Sequence, residues 1–287
     1  MFRFPSILLS HFGEVFTEGF FQGKLGVPGE GESVENPIVL HQEESWMLEG
    51  FLSWALHAKY ALLLGPRVRY GTILFNVCRY PLEKKHWVGV LAFSHKYFCQ
   101  MGMTQSIDAL QSSYLPATTR FRLAVAYNVP GWDRHTANQL LALGRHILPL
   151  SASDIEDIGG EAAATILQYQ LGISEIRFQL IAFVVPDKHL DECKHNEDCG
   201  QNWHMAYTAC TRLLANTEAV IEAERALIKL KQLTVPGMRD ACFKHTLNRI
   251  EESGAFHKET RLREQGVEAI ILAARALSPV GSLIRRL

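Results

Sequence analysis

The spacing of apolar residues constrains the fold of this 287-residue chain more than any other feature. Along most of the chain they recur every three or four residues, which places them on one face of an α-helix that has to be buried. The first such stripe lies near the amino terminus and comprises Ile7, Leu8, Val15, Phe16 and Phe20. Similar stripes follow as far as residue 277, so the sequence predicts a mainly helical protein.

Short apolar runs without this spacing predict a smaller β component. Asn36–Leu40 contains an early proline, which suits the start of a strand or an edge strand. Residues 61–80 contain the β-like run Thr72–Val77. Leu180–Val185 fits either one buried strand or the tail of the preceding helix, because so short a run has no clear period. A polar loop is predicted over Pro186–Gly200, and the fold class is predicted to be α+β, mainly helical.

The balance of charges argues against nucleic-acid or membrane partners. The formal net charge is -1, from 29 basic and 30 acidic side chains, so there is no excess of positive charge for a polyanion. No apolar run approaches the roughly 20 residues that a membrane span needs. The six cysteines are scattered, which is typical of reduced thiols rather than of a disulfide framework. We therefore expect an intracellular protein of the cytoplasm or nucleus.

Cysteine and histidine residues gather at two places in the second half of the chain. Cys193, His195 and Cys199 lie within the predicted polar loop, and Cys242 and His245 follow on a predicted helix. Together they offer the Cys/His ligands that structural zinc sites use. The alternative is a polar loop with reduced thiols and a helix cysteine that faces the core, because no Cys-x-x-Cys pair is present. A structural zinc ion is thus one interpretation, and no cofactor is the other.

No catalytic motif assembles from the sequence. Neither Gly29–Gly31 nor Gly159–Gly160 fits a glycine-rich phosphate-binding pattern. A cysteine hydrolase needs a thiol and an imidazole brought together, and six cysteines with 12 histidines single out no such pair. We predict a protein that is not an enzyme, without catalytic residues, cofactor-binding residues or a small-molecule substrate. A cysteine hydrolase stays open as an alternative.

Several packing patterns resemble those of the fungal BTB/POZ-domain proteins. Phe2–Phe16 looks like a strand followed by a helix with a buried His or Ser and an aromatic residue, and Glu35–Leu40 resembles the loop and strand that come next. Phe51–Leu56 and Trp87–Tyr97 resemble the following helices, and Arg120–Trp132 resembles the helical extension of fungal members. All of these are packing patterns rather than catalytic signatures.

The resemblance implies an incomplete BTB/POZ-like module over residues 1–113 and an all-helical extension over residues 114–287. Residues 61–80 stand where the family has a short polar loop and therefore look like an insertion, and the opening strand of the BTB sheet is missing. The function implied is non-catalytic protein–protein association, with homodimerisation through the first helix and an adaptor role in recruitment to a cullin-type ubiquitin ligase. A zinc-stapled helical regulatory domain is the alternative from a different class.

The predicted dimer face is the first apolar stripe, formed by Ile7, Leu8, Val15, Phe16 and Phe20. We expect Val15→Asp to shift the protein from dimer to monomer or aggregate, because a carboxylate on the buried face of an interface is left without a partner. Light scattering measures the mass of both proteins. An unchanged mass would contradict the predicted face.

Overall fold

The structure is a computed structural model, and it describes residues 44–64, 82–142, 150–185, 193, 196–216 and 221–276. Within these ranges every regular element is a helix and no strand is present. The predicted α+β class with an incomplete BTB/POZ-like module is therefore wrong for the described part of the chain, which is all-helical. The runs Asn36–Leu40 and Thr72–Val77 lie outside the described residues, as does the predicted dimer face at residues 7–20.

The chain divides into two compact units, the first made of residues 1–116 and 280–287 and the second of residues 117–279. The described helices of the first unit are α1 (Ser45–Leu64), α2 (Lys84–Lys96) and α3 (Gln100–Ser112). Those of the second unit are α4 (Ala117–Ala126), α5 (Trp132–Leu141), α6 (Ala152–Ile158), α7 (Gly160–Ala182), α8 (Asn196–Thr211), α9 (Ala223–Lys231), α10 (Asp240–Ser253) and α11 (Lys258–Arg275). Short 3₁₀ turns at Arg212–Ala215 and Ala255–His257 complete the second unit.

Two glycines let helices α1 and α2 of the first unit approach closely. A β-carbon at Gly50 would lie 2.6 Å from the carbonyl oxygen of His86, and one at Gly89 would lie 2.8 Å from that of Trp46. The close contact places Phe51 against Phe93, whose ring centroids are 4.5 Å apart in the buried core. Small residues at these positions therefore determine how this core packs.

The end of α7 resolves the ambiguity of Leu180–Val185 in favour of a helix tail. Helix α7 continues to Ala182, and only then does the backbone become extended at Phe183. The side chains of α8 satisfy carbonyl groups there: the hydroxyl of Tyr207 donates to the Leu180 oxygen at 3.1 Å. Such carbonyls have no partner inside their own helix, so these bonds stabilise the helix end. Helix α8 itself begins at Asn196, within the predicted polar loop.

A buried ion pair joins α7 to α11. Arg177 donates two hydrogen bonds to Glu259, from Nε to Oε2 at 3.1 Å and from Nη2 to Oε1 at 2.6 Å. Arg263 adds a bond of 2.8 Å, and the backbone N–H of Ala223, at the start of α9, donates to the same carboxylate at 3.2 Å. Glu259 is only 1% exposed. Burial raises the pKa of Glu259, but hydrogen bonds from the two guanidinium groups outweigh it and hold the pKa below its usual value.

We expect Glu259→Gln to lower the free energy of unfolding by about 3–5 kcal/mol near pH 7, because Arg177 is then buried without a counter-charge. Urea denaturation of the full chain measures the difference, with the exposed Glu252→Gln as control. Since the folded pKa of Glu259 is lowered, its contribution is complete above the unfolded value of about 4.3 and is lost as the pH falls through the folded pKa. The wild type and the variant should therefore converge in acid, and a gap independent of pH would contradict the role of the charge.

Candidate metal centre

Three cysteine thiols meet in the core of the second unit. Cys193 precedes α8, Cys199 lies in the first turns of α8, and Cys242 is the third residue of α10. Their exposed fractions are 6%, 0% and 0%, and their sulfur atoms all lie within 4.8 Å of one another. The fold therefore brings Cys242 to two cysteines that lie more than forty positions earlier in the sequence.

The separation of the sulfur atoms fits a metal–thiolate site. The Sγ atoms of Cys193 and Cys199 are 3.8 Å apart, so the two thiols are not joined by a disulfide. With zinc–sulfur bonds of about 2.3 Å in a tetrahedron, neighbouring sulfur atoms lie about 3.8 Å apart. The Cys193–Cys199 pair thus has the spacing of two zinc ligands, and the third sulfur atom lies within 4.8 Å of both.

A tight turn before α10 brings Cys242 to α8. Gly237 has a φ of +77°, in the left-handed region that favours glycine. A β-carbon there would lie 2.5 Å from Nδ2 of Asn202 on α8, so a larger residue would also displace that side chain. The chain then enters α10 at Arg239, whose backbone N–H donates to the sulfur of Cys199. Cys242 lies in the first turn of this helix.

The surroundings of the three thiols are apolar. They belong to a buried cluster that also contains Trp203 and Met238. Burial raises the pKa of the Cys199 thiol, and the nearby Cys193 raises it further, while the N–H of Arg239 opposes both. The Cys199 thiol is therefore neutral near pH 7, and a metal ion would have to displace its proton when it binds.

Of the five predicted ligands, the structure brings together Cys193, Cys199 and Cys242. Neither predicted histidine is part of this group in the described residues. His245 lies one turn after Cys242 on α10 and is half-buried, but it does not join the group of thiols. His195 lies outside the described residues. Cys210 is buried in the same apolar cluster, yet it is not among the three clustered thiols. The Cys193–Cys199–Cys242 set is hereafter called the thiol cluster.

Comparisons with known proteins give no match to a protein-family model, a curated protein or a solved structure. The BTB/POZ resemblance thus stays a prediction drawn from the residues. The thiol cluster is interpreted from its own geometry. In the described part of the chain, no helix combines the length and the apolar character that crossing a bilayer requires.

We expect the described cysteines to react slowly with iodoacetamide at pH 7 in the native chain. Burial raises the pKa of Cys99, Cys199 and Cys210, so little of the reactive thiolate is present at that pH. Mass spectrometry of the labelled peptides measures the rate for each residue, and the urea-unfolded chain serves as the control. Fast labelling of any of the three in the native chain would instead indicate an activated thiolate, as in a cysteine hydrolase.

Proposed function

We propose that the chain is a non-catalytic helical protein whose second unit is stapled by one structural zinc ion at the thiol cluster. The observation that carries this proposal is the 3.8 Å separation of the Cys193 and Cys199 sulfur atoms, with Cys242 beside them in the buried core. Zinc bound by cysteine thiolates in a closed site has a structural role rather than a catalytic one.

The position of the thiol cluster explains what the ion would do. It would link the segment before α8 to the first turns of α8 and of α10, which no element of sheet structure holds together in the described residues. Structural zinc in small domains supplies on the order of 10 kcal/mol of apparent binding free energy near pH 7. That amount is comparable to the whole stability of a domain. The metal would therefore stabilise the packing of α8 against α10.

A closed tetrahedral site needs a fourth ligand, and we assign it to His195. His195 lies outside the described residues, and its position in the sequence supports the assignment: it is two residues from Cys193 and four from Cys199. His245, the other predicted histidine ligand, is held apart from the group on α10. A Cys₃His set is one of the usual ligand combinations of structural zinc.

Two features of the described residues support a role without catalysis. The thiols are buried, so a substrate has no access to a metal held by them. A catalytic zinc site also keeps one coordination position open to water or substrate, whereas the proposed set closes the fourth position. Protein–protein association is the second candidate function, and a row of exposed apolar residues on α7 favours it.

The test is the metal content of the purified full chain. We expect about one zinc ion per chain by elemental mass spectrometry, lost in Cys199→Ser and in Cys242→Ser. Cys210→Ser is the matched control, because Cys210 is buried in the same apolar cluster but lies outside the thiol cluster. His195→Ala should lower the affinity for zinc, whereas His245→Ala should leave it unchanged.

Thermal unfolding gives an independent readout of the same site. A strong chelator should lower the melting temperature of the wild type and of Cys210→Ser, and should leave that of Cys242→Ser unchanged. A wild-type chain that binds no zinc even when the ion is added would overturn the proposal. So would a Cys242→Ser variant that keeps its full metal content.

A further inference from the structure

One face of α7 exposes large apolar side chains although the opposite face is buried. Leu167, Leu171 and Phe178 are 48%, 71% and 63% exposed. Ile166 and Ile173, on the other side of the same helix, are fully buried. Scattered single apolar residues on a surface are ordinary, but a continuous exposed row marks a surface that binds another protein.

The spacing of the row is that of a coiled-coil seam. Ala164, Leu167, Leu171, Ser174 and Phe178 follow one another at alternating steps of three and four residues, and all five are exposed. This alternation is the a and d pattern by which two helices pack along each other. From the first residue to the last it extends about 21 Å along the helix, roughly four turns. These five residues are called the α7 seam.

We infer that the α7 seam binds a second copy of this chain, with the two α7 helices antiparallel. In an antiparallel pair each a position packs against a d position of the other helix. With the two-fold axis midway between positions 171 and 174, Leu171 of one copy packs against Ser174 of the other. The adjacent layer then packs Leu167 against Phe178. In a two-fold interface each contact occurs twice, so Leu171 to Ser174 is matched by Ser174 to Leu171 on the other side of the axis.

The charges beside the α7 seam favour a second copy over a charged partner. Among the exposed positions of α7, only Glu161 and Glu175 carry a charge, and neither belongs to the seam. Glu175 accepts a hydrogen bond of 3.3 Å from Gln179 within the same helix. In the antiparallel pair, Gln168 of one copy lies beside Glu175 of the other. No two carboxylates are therefore brought together, and the amide of Gln168 can donate to the carboxylate.

The mass of the full chain in solution tests this inference, independently of metal binding. Sedimentation equilibrium should give twice the chain mass of 32.3 kDa. Leu171→Glu should give the monomer mass at the same protein concentration, because it places two carboxylates in the centre of the interface. Leu272→Glu is the matched control: this leucine of α11 is 72% exposed and outside the α7 seam, so the variant should stay dimeric. Circular dichroism should show the same helix content in all three proteins.

Exchanges at Gln168 test the orientation and the identity of the partner. Gln168→Lys should tighten the dimer by about three- to tenfold, because each copy gains one exposed ion pair with Glu175 of the other. Gln168→Glu should weaken it by a similar factor. A monomeric wild type at all concentrations would overturn the inference, including a wild type that binds only a different protein. A dimer that survives Leu171→Glu, as one held by the face predicted at Ile7–Phe20 would, overturns the inference, and so does a dimer that responds alike to the two Gln168 exchanges.

Discussion

The second unit depends on the ion pair between Arg177 and Glu259. Two charges removed from water are costly, and they are tolerated here because the carboxylate accepts bonds from two guanidinium groups and one backbone N–H. The donors come from three helices, so the angle between α7 and α11 and the start of α9 are set together. Helix α7 also contributes side chains to two separate apolar clusters: Ile166 belongs to one and Leu180 to the other. Its buried arginine therefore lies on the one element that both clusters share.

The thiol cluster depends on how α8 packs against the end of α7. Two side chains of α8 donate hydrogen bonds to backbone carbonyls at and just after the end of α7. Tyr207 donates to Leu180, and Trp203 donates to Val185 at 2.8 Å. These bonds hold α8 in place, and the turn at Gly237 then brings the start of α10 against it. The three sulfur atoms meet because both helices start at the same place. A zinc ion there would join the start of α8 to the start of α10.

The helical part of the prediction is confirmed for the described residues, where the β component is wrong, and the metal ligands stay a prediction. Apolar spacing predicts helices well because the burial of one face is a local property of ten or more residues. Leu180–Val185 is too short to show a helical or a strand period. Its first residues end a helix, and side chains of α8 donate hydrogen bonds to its carbonyl groups. Arg177 and Glu259 carry no signal at all in the sequence, because nothing local relates two charges 82 residues apart. The sequence also does not predict that the α7 seam is exposed to solvent, since an apolar row has the same spacing whether it is buried or not.

By itself, the sequence determined which segments form helices and which residue types were available as metal ligands. These properties depend on side-chain chemistry and on neighbours within a few positions. Only the tertiary structure decided that Cys193, Cys199 and Cys242 share one site while His245 stands apart, and which apolar face of α7 meets solvent. Such choices depend on distances between segments that are far apart in the chain. They are set by how the helices of the second unit pack on one another, which no local pattern encodes.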